Sequence, residues 1–309
     1  MMNSSDRYQS MLESVPCNIC GADDYDVIYP ARYEDANPDE ILDTFRSSGD
    51  EILVDQLVQC RNCGLQYLSP RLKSNLILTG YSSGTDEAFI SQNQAREKTF
   101  SASLDKIEKY RKHRGKILDV GTAGGAFLGV AAQRGWEVAG CEPNKWLAKW
   151  GSEHYDINIY PGTVFDMELD NDFFDVVTLW DVLEHTPDPK HVLLECWRVL
   201  KPGGLLVVNY PDIDSMVSRI MGRKWVFLLS VHLYYFTPLT IRKILEDTGF
   251  KFVDSAKHWQ SLELGYILFR MGPYLPKISN YIHNLVKKLG MNQLRIPYWM
   301  GQVLIIAER

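Results

Sequence analysis

Four of the chain's six cysteines form two closely spaced pairs. Cys17 and Cys20 lie in the segment CNICG, and Cys60 and Cys63 lie in CRNCG. In each pair two residues separate the thiols and a glycine follows, so that one tight turn can present two thiolates to a tetrahedral ion. Redox dithiols or disulfides are the alternative interpretation. The spacing favours a four-thiolate Zn²⁺ site, which is structural because it leaves no open coordination position.

The other two cysteines, Cys141 and Cys196, lie among apolar residues and are predicted to be core residues. An acidic insertion, residues 33–55, separates the two cysteine pairs and makes the gap longer than in the commonest zinc modules. We therefore predict a small zinc-ribbon-like module over residues 1–80.

A glycine-rich turn in ILDVGTAGGAFL, residues 117–128, is the second feature that predicts chemistry. An apolar run reads as a short buried strand, and the glycines after it allow a tight turn and close approach of a ligand. The dinucleotide fingerprint G-x-G-x-x-G is matched at only one of its three glycines, and the Gly-Lys-Ser/Thr of a phosphate-binding loop is absent. What remains is Asp119 near the end of this strand and Glu142 at the end of the next.

Short apolar runs alternate with helical patterns from residue 116 onwards. The periodicity predicts strands at 116–120, 137–141, 157–160, 174–180, 205–210, 250–257 and 302–307, and helices ending near 134 and at 144–154, 189–199 and 238–248. Before them we predict a linker at 82–85 and a connecting helix from about residue 95 to 115. This alternation is typical of an α/β fold with a mostly parallel sheet and helices on both faces. Ligands of such sheets bind at the carboxyl ends of the strands.

Four segments resemble, in order, the signature segments of class I S-adenosylmethionine-dependent methyltransferases: LDVGTAGG, GCEPN, FDVVTLWDVLEHTPDP and RVLKPGGLLVV. The resemblance covers residues 116–249 and, more weakly, the last strand. It implies a Rossmann-like sheet of seven strands, the last one antiparallel. The sequence pattern places this domain at residues 116–309, with a helical insertion at about 261–299, after a linker and connecting helix at 81–115. The resemblance also implies S-adenosylmethionine as the cofactor.

The same resemblance assigns the cofactor contacts at the first two strands. Asp119 and the backbone of Gly121 and Gly125 would hold the methionine end. Ala123 replaces the family's usual middle glycine, and we expect a shifted loop there rather than lost binding. Glu142 would accept hydrogen bonds from both ribose hydroxyls.

The adenine end is less defined, because Thr163 stands where the family often has an aspartate. Recognition of the base would rest on the backbone near Val164 and Phe165, or on Asp166. Trp180 would flank the cofactor, although a tryptophan at a strand end is commonly a core residue.

Methyl transfer to a hydroxyl or carbon acceptor needs a base. His185, just beyond the fourth strand, is the first candidate because histidine titrates near neutral pH; its alternative role is to hydrogen-bond its own loop. His232, in VHLYYFTP, is the second candidate. Tyr234 and Tyr235 beside it would wall a sugar or ring acceptor, or else pack in the core.

The segment 261–299 is apolar, with five basic residues and one acid, Glu263. It could form amphipathic helices that contact a membrane surface or a lipid-linked acceptor. A substrate lid and a dimer face are the alternatives.

The charge of the chain bears on its partners. A net charge of −6 argues against an extended nucleic-acid surface, and residues 1–80 hold 13 acidic against 6 basic residues. An RNA methyltransferase with a zinc ribbon is therefore the less favoured alternative. The N-terminal segment shows no secretion signal and no apolar stretch is long enough to span a bilayer, so we expect a cytoplasmic protein.

The whole pattern resembles the zinc-knuckle methyltransferases of bacterial glycan and sugar-derivative biosynthesis. It implies methylation of a small molecule, a sugar or glycan hydroxyl, in polysaccharide biosynthesis. A non-catalytic binding protein is the second alternative. The presence of both Asp119 and Glu142 argues against it, because a non-catalytic protein does not need residues that bind the cofactor.

Overall fold

A helix joins the N-terminal part of the chain to the core. The computed structural model describes residues 4–33, 53–82, 84–270, 282 and 284–309. Up to the core its elements are α1 (Ser4–Ser10), β1 (Leu12–Glu13), β2 (Tyr25–Tyr29), β3 (Leu57–Cys60), β4 (Gln66–Leu68), β5 (Arg71–Leu72), α2 (Ser74–Ser82), α3 (Glu87–Ile90) and α4 (Asn93–Tyr110). Helix α4 lies where the connecting helix is predicted, and it ends at Tyr110 instead of near residue 115. Most of the acidic insertion lies outside the described residues.

The core alternates strands and helices as the periodicity predicts. Its elements are β6 (Lys116–Val120), α5 (Ala126–Gln133), β7 (Glu137–Glu142), α6 (Lys145–Tyr155), β8 (Ile159–Pro161), β9 (Phe174–Trp180), α7 (Pro189–Val199), β10 (Leu200–Pro211), α8 (Met216–Met221), β11 (Tyr234–Tyr235), α9 (Pro238–Asp247), β12 (Lys251–Lys257), β13 (Gln260–Glu263), α10 (Leu264–Arg270), β14 (Arg295–Tyr298) and β15 (Gln302–Glu308). Strand β10 begins earlier than predicted, because Leu200 already pairs with Phe174 before a register shift brings Leu205 opposite Val176.

Seven strands form the central sheet in the order β12-β15-β10-β9-β6-β7-β8. The pairs from β10 to β8 are parallel, whereas β15 runs antiparallel to both β10 and β12. The structure thus confirms the seven-stranded sheet with an antiparallel last strand. It also places the ends of β6, β7 and β9 side by side.

Neighbouring residues of each strand face opposite sides of the sheet, as the period of two requires. Ile117 and Val176 pack with α4, α5 and α6, whereas Leu118 and Val177 pack with α7 and α9. Helices therefore cover both faces. Cys141 and Cys196 are buried with Leu118 and Val177 on the α7 and α9 side of the sheet, which confirms them as core residues.

A second sheet of four strands, ordered β11-β4-β3-β2, forms around the cysteine pairs. Its edge strand β11 comes from the HLYYF segment, and Tyr234 pairs with Tyr67. The small N-terminal module and the large core therefore share one sheet.

The described parts of the segment 261–299 include a strand pair, β13 with β14, and helix α10. The basic residue Lys277, on which the membrane hypothesis partly rests, lies outside the described residues. Within the described ranges, no helix combines the length and the apolar character needed to cross a bilayer.

Candidate functional site

A cavity of about 940 Å³ opens at the carboxyl ends of β6, β7 and β9. This volume lies at the upper end of the roughly 300–1,000 Å³ that small-molecule sites occupy. Asp119, Glu142 and Trp180 line it, one from each strand. The position is the one at which parallel α/β sheets bind their ligands.

The glycine-rich turn forms one wall of the cavity through an unusual backbone. Gly121 has a φ of +69°, and a Cβ there would come within 2.7 Å of the Val182 side chain. Ala123 also adopts a left-handed backbone, with a φ of +49°, so this alanine takes the conformation that glycine prefers. Gly125 ends the turn and starts α5, with Ile159 packed against it; it does not line the cavity, whereas Gly124 does.

Glu142 connects the glycine-rich turn to the end of β7 by hydrogen bonds. One carboxylate oxygen accepts a hydrogen bond from the backbone N–H of Ala123 and the other from that of Asn144, both at 2.8 Å. Burial raises the pKa of Glu142 to about 7. Each carboxylate oxygen has a second lone pair, so the group can still accept hydrogen bonds from a ligand in the cavity.

Asp119 is the matching carboxylate on β6 and is only 1% exposed. Its Oδ1 accepts a hydrogen bond from the Thr178 hydroxyl on β9 at 2.5 Å. Burial raises the pKa of Asp119 to about 7. Two desolvated carboxylates with few neutralising partners thus face the same end of the cavity, as groups at binding sites often do.

The predicted adenine contacts divide between the cavity and the surface. Val164 and Phe165 line the cavity, together with Thr163. Asp166 accepts hydrogen bonds from both the backbone N–H and the hydroxyl of Thr163, and so caps the short helix 164–166. Its carboxylate is engaged there and does not line the cavity.

Trp180 is a core residue that also borders the cavity. Its ring packs against Phe100, Phe127 and His258, and it also lines the cavity. Its indole N–H is buried without a hydrogen-bond partner.

Arg96, on α4, is a cavity residue that sequence reasoning missed. Its guanidinium lies 3.8 Å from the centre of the Phe89 ring, and its Nε atom is buried without a partner. Burial lowers the pKa of Arg96. Helix α4 begins against the glycine-rich turn, since Asn93 lies 3.5 Å from where a Cβ on Gly124 would be. A cation in this place can pair with an anionic ligand group.

His185 and His232 both line the cavity, and their ring centres lie 4.6 Å apart. Burial lowers the pKa of His185 to about 4, so the expectation that it titrates near neutral pH is wrong. Its Nδ1 lies 2.7 Å from the Tyr81 hydroxyl and 3.0 Å from the Val231 carbonyl oxygen. Glu184 lies beside both rings.

Tyr234 and Tyr235 do not line the cavity, so the interpretation of them as acceptor walls is wrong. Both are nearly fully buried in the β11–β4 pairing. The Tyr235 hydroxyl donates to the Leu229 carbonyl at 2.6 Å, and that of Tyr234 donates to the Pro187 carbonyl at 3.1 Å. Their neighbour Phe227 lines the cavity instead.

Comparison with known proteins decides what this site belongs to. A family model described as a methyltransferase domain matches residues 92–255, which is more than half of the chain. The chain belongs to this family. It is an S-adenosylmethionine-dependent methyltransferase.

Two relatives of this methyltransferase share one name, ubiquinone biosynthesis O-methyltransferase. The one from Psychrobacter arcticus is 28% identical over 179 residues, covering 50% of this chain and 70% of its own. The one from Coxiella burnetii is 28% identical over 181 residues, covering 54% and 77%. The crystal structure of an S-adenosylmethionine-dependent methyltransferase from Archaeoglobus fulgidus shares the fold, with a TM-score of 0.51 and 21% identity over 72% of this chain and all of that one.

The methyltransferase also carries a four-cysteine cluster in its N-terminal part. The sulfur atoms of Cys17, Cys20, Cys60 and Cys63 all lie within 4.8 Å of one another, and none forms a disulfide. Cys17 lies 3.3 Å from Cys63, and Cys20 lies 3.5 Å from Cys60. A tetrahedral Zn²⁺ with bonds of about 2.3 Å spaces its sulfur ligands by about 3.8 Å. The donor set and its dimensions therefore fit Zn²⁺.

Two N-terminal residues hold the loop that follows His185, and sequence reasoning missed both. Arg71 donates to the Pro187 carbonyl at 2.8 Å and to the Tyr234 hydroxyl at 2.9 Å. Asn18, inside the first cysteine turn, donates to Asp188 and accepts from the Lys190 N–H, each at 2.9 Å. The loop that follows His185 thus rests on the cysteine-bearing part of the chain.

Proposed function

We propose that this methyltransferase transfers the methyl group of S-adenosylmethionine to a hydroxyl oxygen of a small molecule with an apolar, ring-bearing body. One observation carries the proposal. A single cavity runs from the carboxylates at the tips of β6 and β7 to the pair of histidines, between largely apolar walls. Its size accommodates a nucleoside and an acceptor together.

The cofactor would lie across the glycine-rich turn. We assign its ribose hydroxyls to Glu142, its amino-acid end to Asp119 and the backbone at Gly121 and Ala123, and its carboxylate to Arg96. The assignment of Arg96 rests on its guanidinium, which lines the cavity and has a buried Nε atom without a hydrogen-bond partner. Gly125 would act by shaping the turn.

The adenine of the cofactor would lie beside the short helix 164–166. We assign the edge of the adenine to the backbone near Val164 and Phe165, and a face of the cofactor to Trp180. All three side chains line the cavity.

The acceptor would occupy the remainder of the cavity. Its walls include aromatic side chains from distant parts of the chain, namely Tyr81, Phe89, Phe227, Tyr266 and Tyr298. Such walls suit an aromatic ring with an apolar substituent, whereas a sugar would need polar partners for its several hydroxyls. The named relatives support an O-methyl transfer. We therefore favour a ring hydroxyl over the sugar or glycan hydroxyl expected from the sequence.

Bound S-adenosylmethionine supplies an electrophilic methyl group, and the chain supplies alignment and a way to remove the acceptor's proton. We assign proton removal to the cluster of Glu184, His185 and His232, which lines the acceptor end. His185 is uncharged at neutral pH because its pKa is lowered, so it can accept a proton or donate an electron pair.

We further propose that the four cysteines bind a structural Zn²⁺, as their donor type and spacing support. Thiolates at such a site must stay reduced, which supports a cytoplasmic location. The acidic character of residues 1–80 supports a small-molecule partner and no nucleic acid. Peripheral membrane contact through residues 261–299 remains a proposal for the delivery of an apolar or lipid-linked acceptor.

Product formation from two probes tests the proposal. The protein is incubated with S-adenosylmethionine and either a 4-alkylcatechol or a nucleotide-linked sugar, and S-adenosylhomocysteine is measured. We expect turnover with the catechol alone. Turnover with the sugar alone would restore the glycan hypothesis, and absence of both turnover and cofactor binding would support a non-catalytic protein.

A substitution at Arg96 tests the cofactor assignment separately. Arg96→Met should weaken S-adenosylmethionine binding by about 1–3 kcal/mol, because a carboxylate would lose its charged partner. Arg242→Met, which removes an exposed arginine on α9, is the matched control and should bind as the wild type does. Equal affinities for all three proteins would exclude Arg96 from the site.

A further inference from the structure

Glu184, His185 and His232 form a second cluster of possible metal ligands, separate from the cysteines. One ligand atom from each residue lies within 4.8 Å of those from the other two. All three residues line the acceptor end of the cavity. We propose that this cluster binds one divalent first-row transition cation, which in turn binds the oxygen of the acceptor.

The carboxylate of Glu184 is the first support. The residue is 1% exposed, and neither of its carboxylate oxygens has a hydrogen-bond partner. A buried carboxylate without donors is costly, and proteins normally pair such a group or coordinate it to a metal. A cation between Glu184 and the two rings would pair with this carboxylate.

The tautomers of the two histidines are the second support. The Nδ1 atom of His232 lies 2.8 Å from the Phe227 carbonyl oxygen, and that of His185 lies 3.0 Å from the Val231 carbonyl oxygen. A carbonyl oxygen only accepts, so each of these two contacts requires the ring hydrogen on Nδ1 and leaves the electron pair on Nε2. The Tyr81 hydroxyl, 2.7 Å from the Nδ1 atom of His185, then accepts from the same ring hydrogen. Histidines that ligate a metal typically donate their other N–H to a carbonyl or carboxylate in this way.

The donor set selects the kind of cation. Two imidazoles and one carboxylate suit the divalent ions of iron, manganese, cobalt or zinc, and three protein ligands leave coordination positions open. Four thiolates, by contrast, favour Zn²⁺ and close its coordination shell. The chain therefore offers one closed thiolate site and one open nitrogen–oxygen site.

An open site at this place would activate the acceptor, and this role rests on the proposed function. The cluster would then promote proton removal through the cation instead of accepting the proton itself. A hydroxyl bound to the cation has a lowered pKa and releases its proton to water in the cavity. The oxygen then forms a bond to the methyl carbon while the carbon–sulfur bond breaks, its electron pair going to sulfur. The products are the methyl ether, S-adenosylhomocysteine and a proton carried by water.

Titration with Mn²⁺ tests the site. Mn²⁺ prefers oxygen and nitrogen ligands and binds thiolates weakly, so it leaves a zinc-loaded cysteine cluster intact. The full chain, freed of loosely bound metal by EDTA, is titrated with Mn²⁺ while the electron paramagnetic resonance signal of free Mn²⁺ is followed. We expect one bound Mn²⁺ per chain without S-adenosylmethionine or any acceptor.

Three variants locate the bound ion. Glu184→Gln keeps the shape of the side chain and should weaken Mn²⁺ binding at least about tenfold, as should His232→Gln. His154→Gln removes an exposed histidine and should bind as the wild type does. The affinity for S-adenosylmethionine, measured on the same samples, shows that each variant is folded.

The outcomes separate this site from the proposed function. No Mn²⁺ binding to wild type, or equal binding to wild type and Glu184→Gln, overturns the cation site even if methyl transfer occurs. Mn²⁺ binding that the cluster variants lose supports the site even if the catechol probe is not methylated.

Discussion

The Nδ2 atom of Asn18 donates a hydrogen bond to Oδ1 of Asp188 at 2.9 Å, although 170 residues separate the two in sequence. Asn18 lies between Cys17 and Cys20. Asp188 lies three residues after His185 and caps the N-terminus of α7. The same asparagine accepts from the Lys190 N–H. The cysteine turn therefore supports the loop that follows His185 through two hydrogen bonds.

Loss of this support is the first prediction. Asn18→Ala should speed amide hydrogen exchange in residues 186–191 by roughly fivefold to tenfold, since about 1 kcal/mol of hydrogen bonding is lost. Arg61→Ala is the matched control: Arg61 occupies the same position in the second cysteine pair, but pairs with Asp24 and Asp26. Unchanged exchange in Asn18→Ala would show that the loop does not depend on the cysteine turn.

Removal of one cysteine ligand should release the metal. Cys60→Ser is expected to lose its bound Zn²⁺ and to melt at a lower temperature, because metal binding stabilises the turns that provide the ligands. Cys196→Ser, at a buried core cysteine, should keep one zinc per chain. Elemental analysis by mass spectrometry checks both. A wild type without zinc would contradict the assignment.

Ala123 offers a test of the strained turn. Because its φ of +49° favours glycine, Ala123→Gly should stabilise the protein by up to about 1 kcal/mol. Ala132→Gly, within helix α5, should destabilise it by about 1 kcal/mol. Urea unfolding of the two variants compares them directly. A similar loss of stability in both would mean that Ala123 is not strained.

The buried carboxylate of Asp119 predicts a pH dependence of stability in the cofactor-free protein. Its folded-state pKa is raised from 3.8 to about 7, so the folded state binds its proton more tightly than the unfolded state. The stabilisation is complete below pH 4 and is lost as the pH rises through about 7. Asp119→Asn removes this titration. As the pH is raised from 5 to 8, the free energy of unfolding of the variant should therefore rise by about 2 kcal/mol relative to that of the wild type. A constant difference in unfolding free energy over that range would contradict the raised pKa.

Sequence periodicity predicted the central sheet well because its signals are local. Ile117, Leu118 and Val120 are buried as one short strand, and β9 and β10 contain similar short apolar runs. The cysteine cluster was equally predictable, since two short turns define it.

The walls of the acceptor cavity could not be predicted, because they come from segments far apart in sequence. Tyr81 and Tyr266 face one cavity from helices on either side of the core sequence, and no local pattern links them. Arg96 lies in an ordinary charged helix, where nothing marks it as inward-facing. The pKa of His185 depends on burial by remote residues, which its neighbours in sequence do not reveal.

Calorimetry of S-adenosylmethionine binding tests the central claim most directly, namely that the cofactor lies across the tips of β6 and β7. Glu142→Ala should weaken binding by about 1–3 kcal/mol, or roughly tenfold to a hundredfold. Glu137→Ala, at the exposed opposite end of the same strand, should bind as tightly as wild type. If Glu142→Ala also binds with unchanged affinity, the cofactor does not occupy this cavity and the account is wrong.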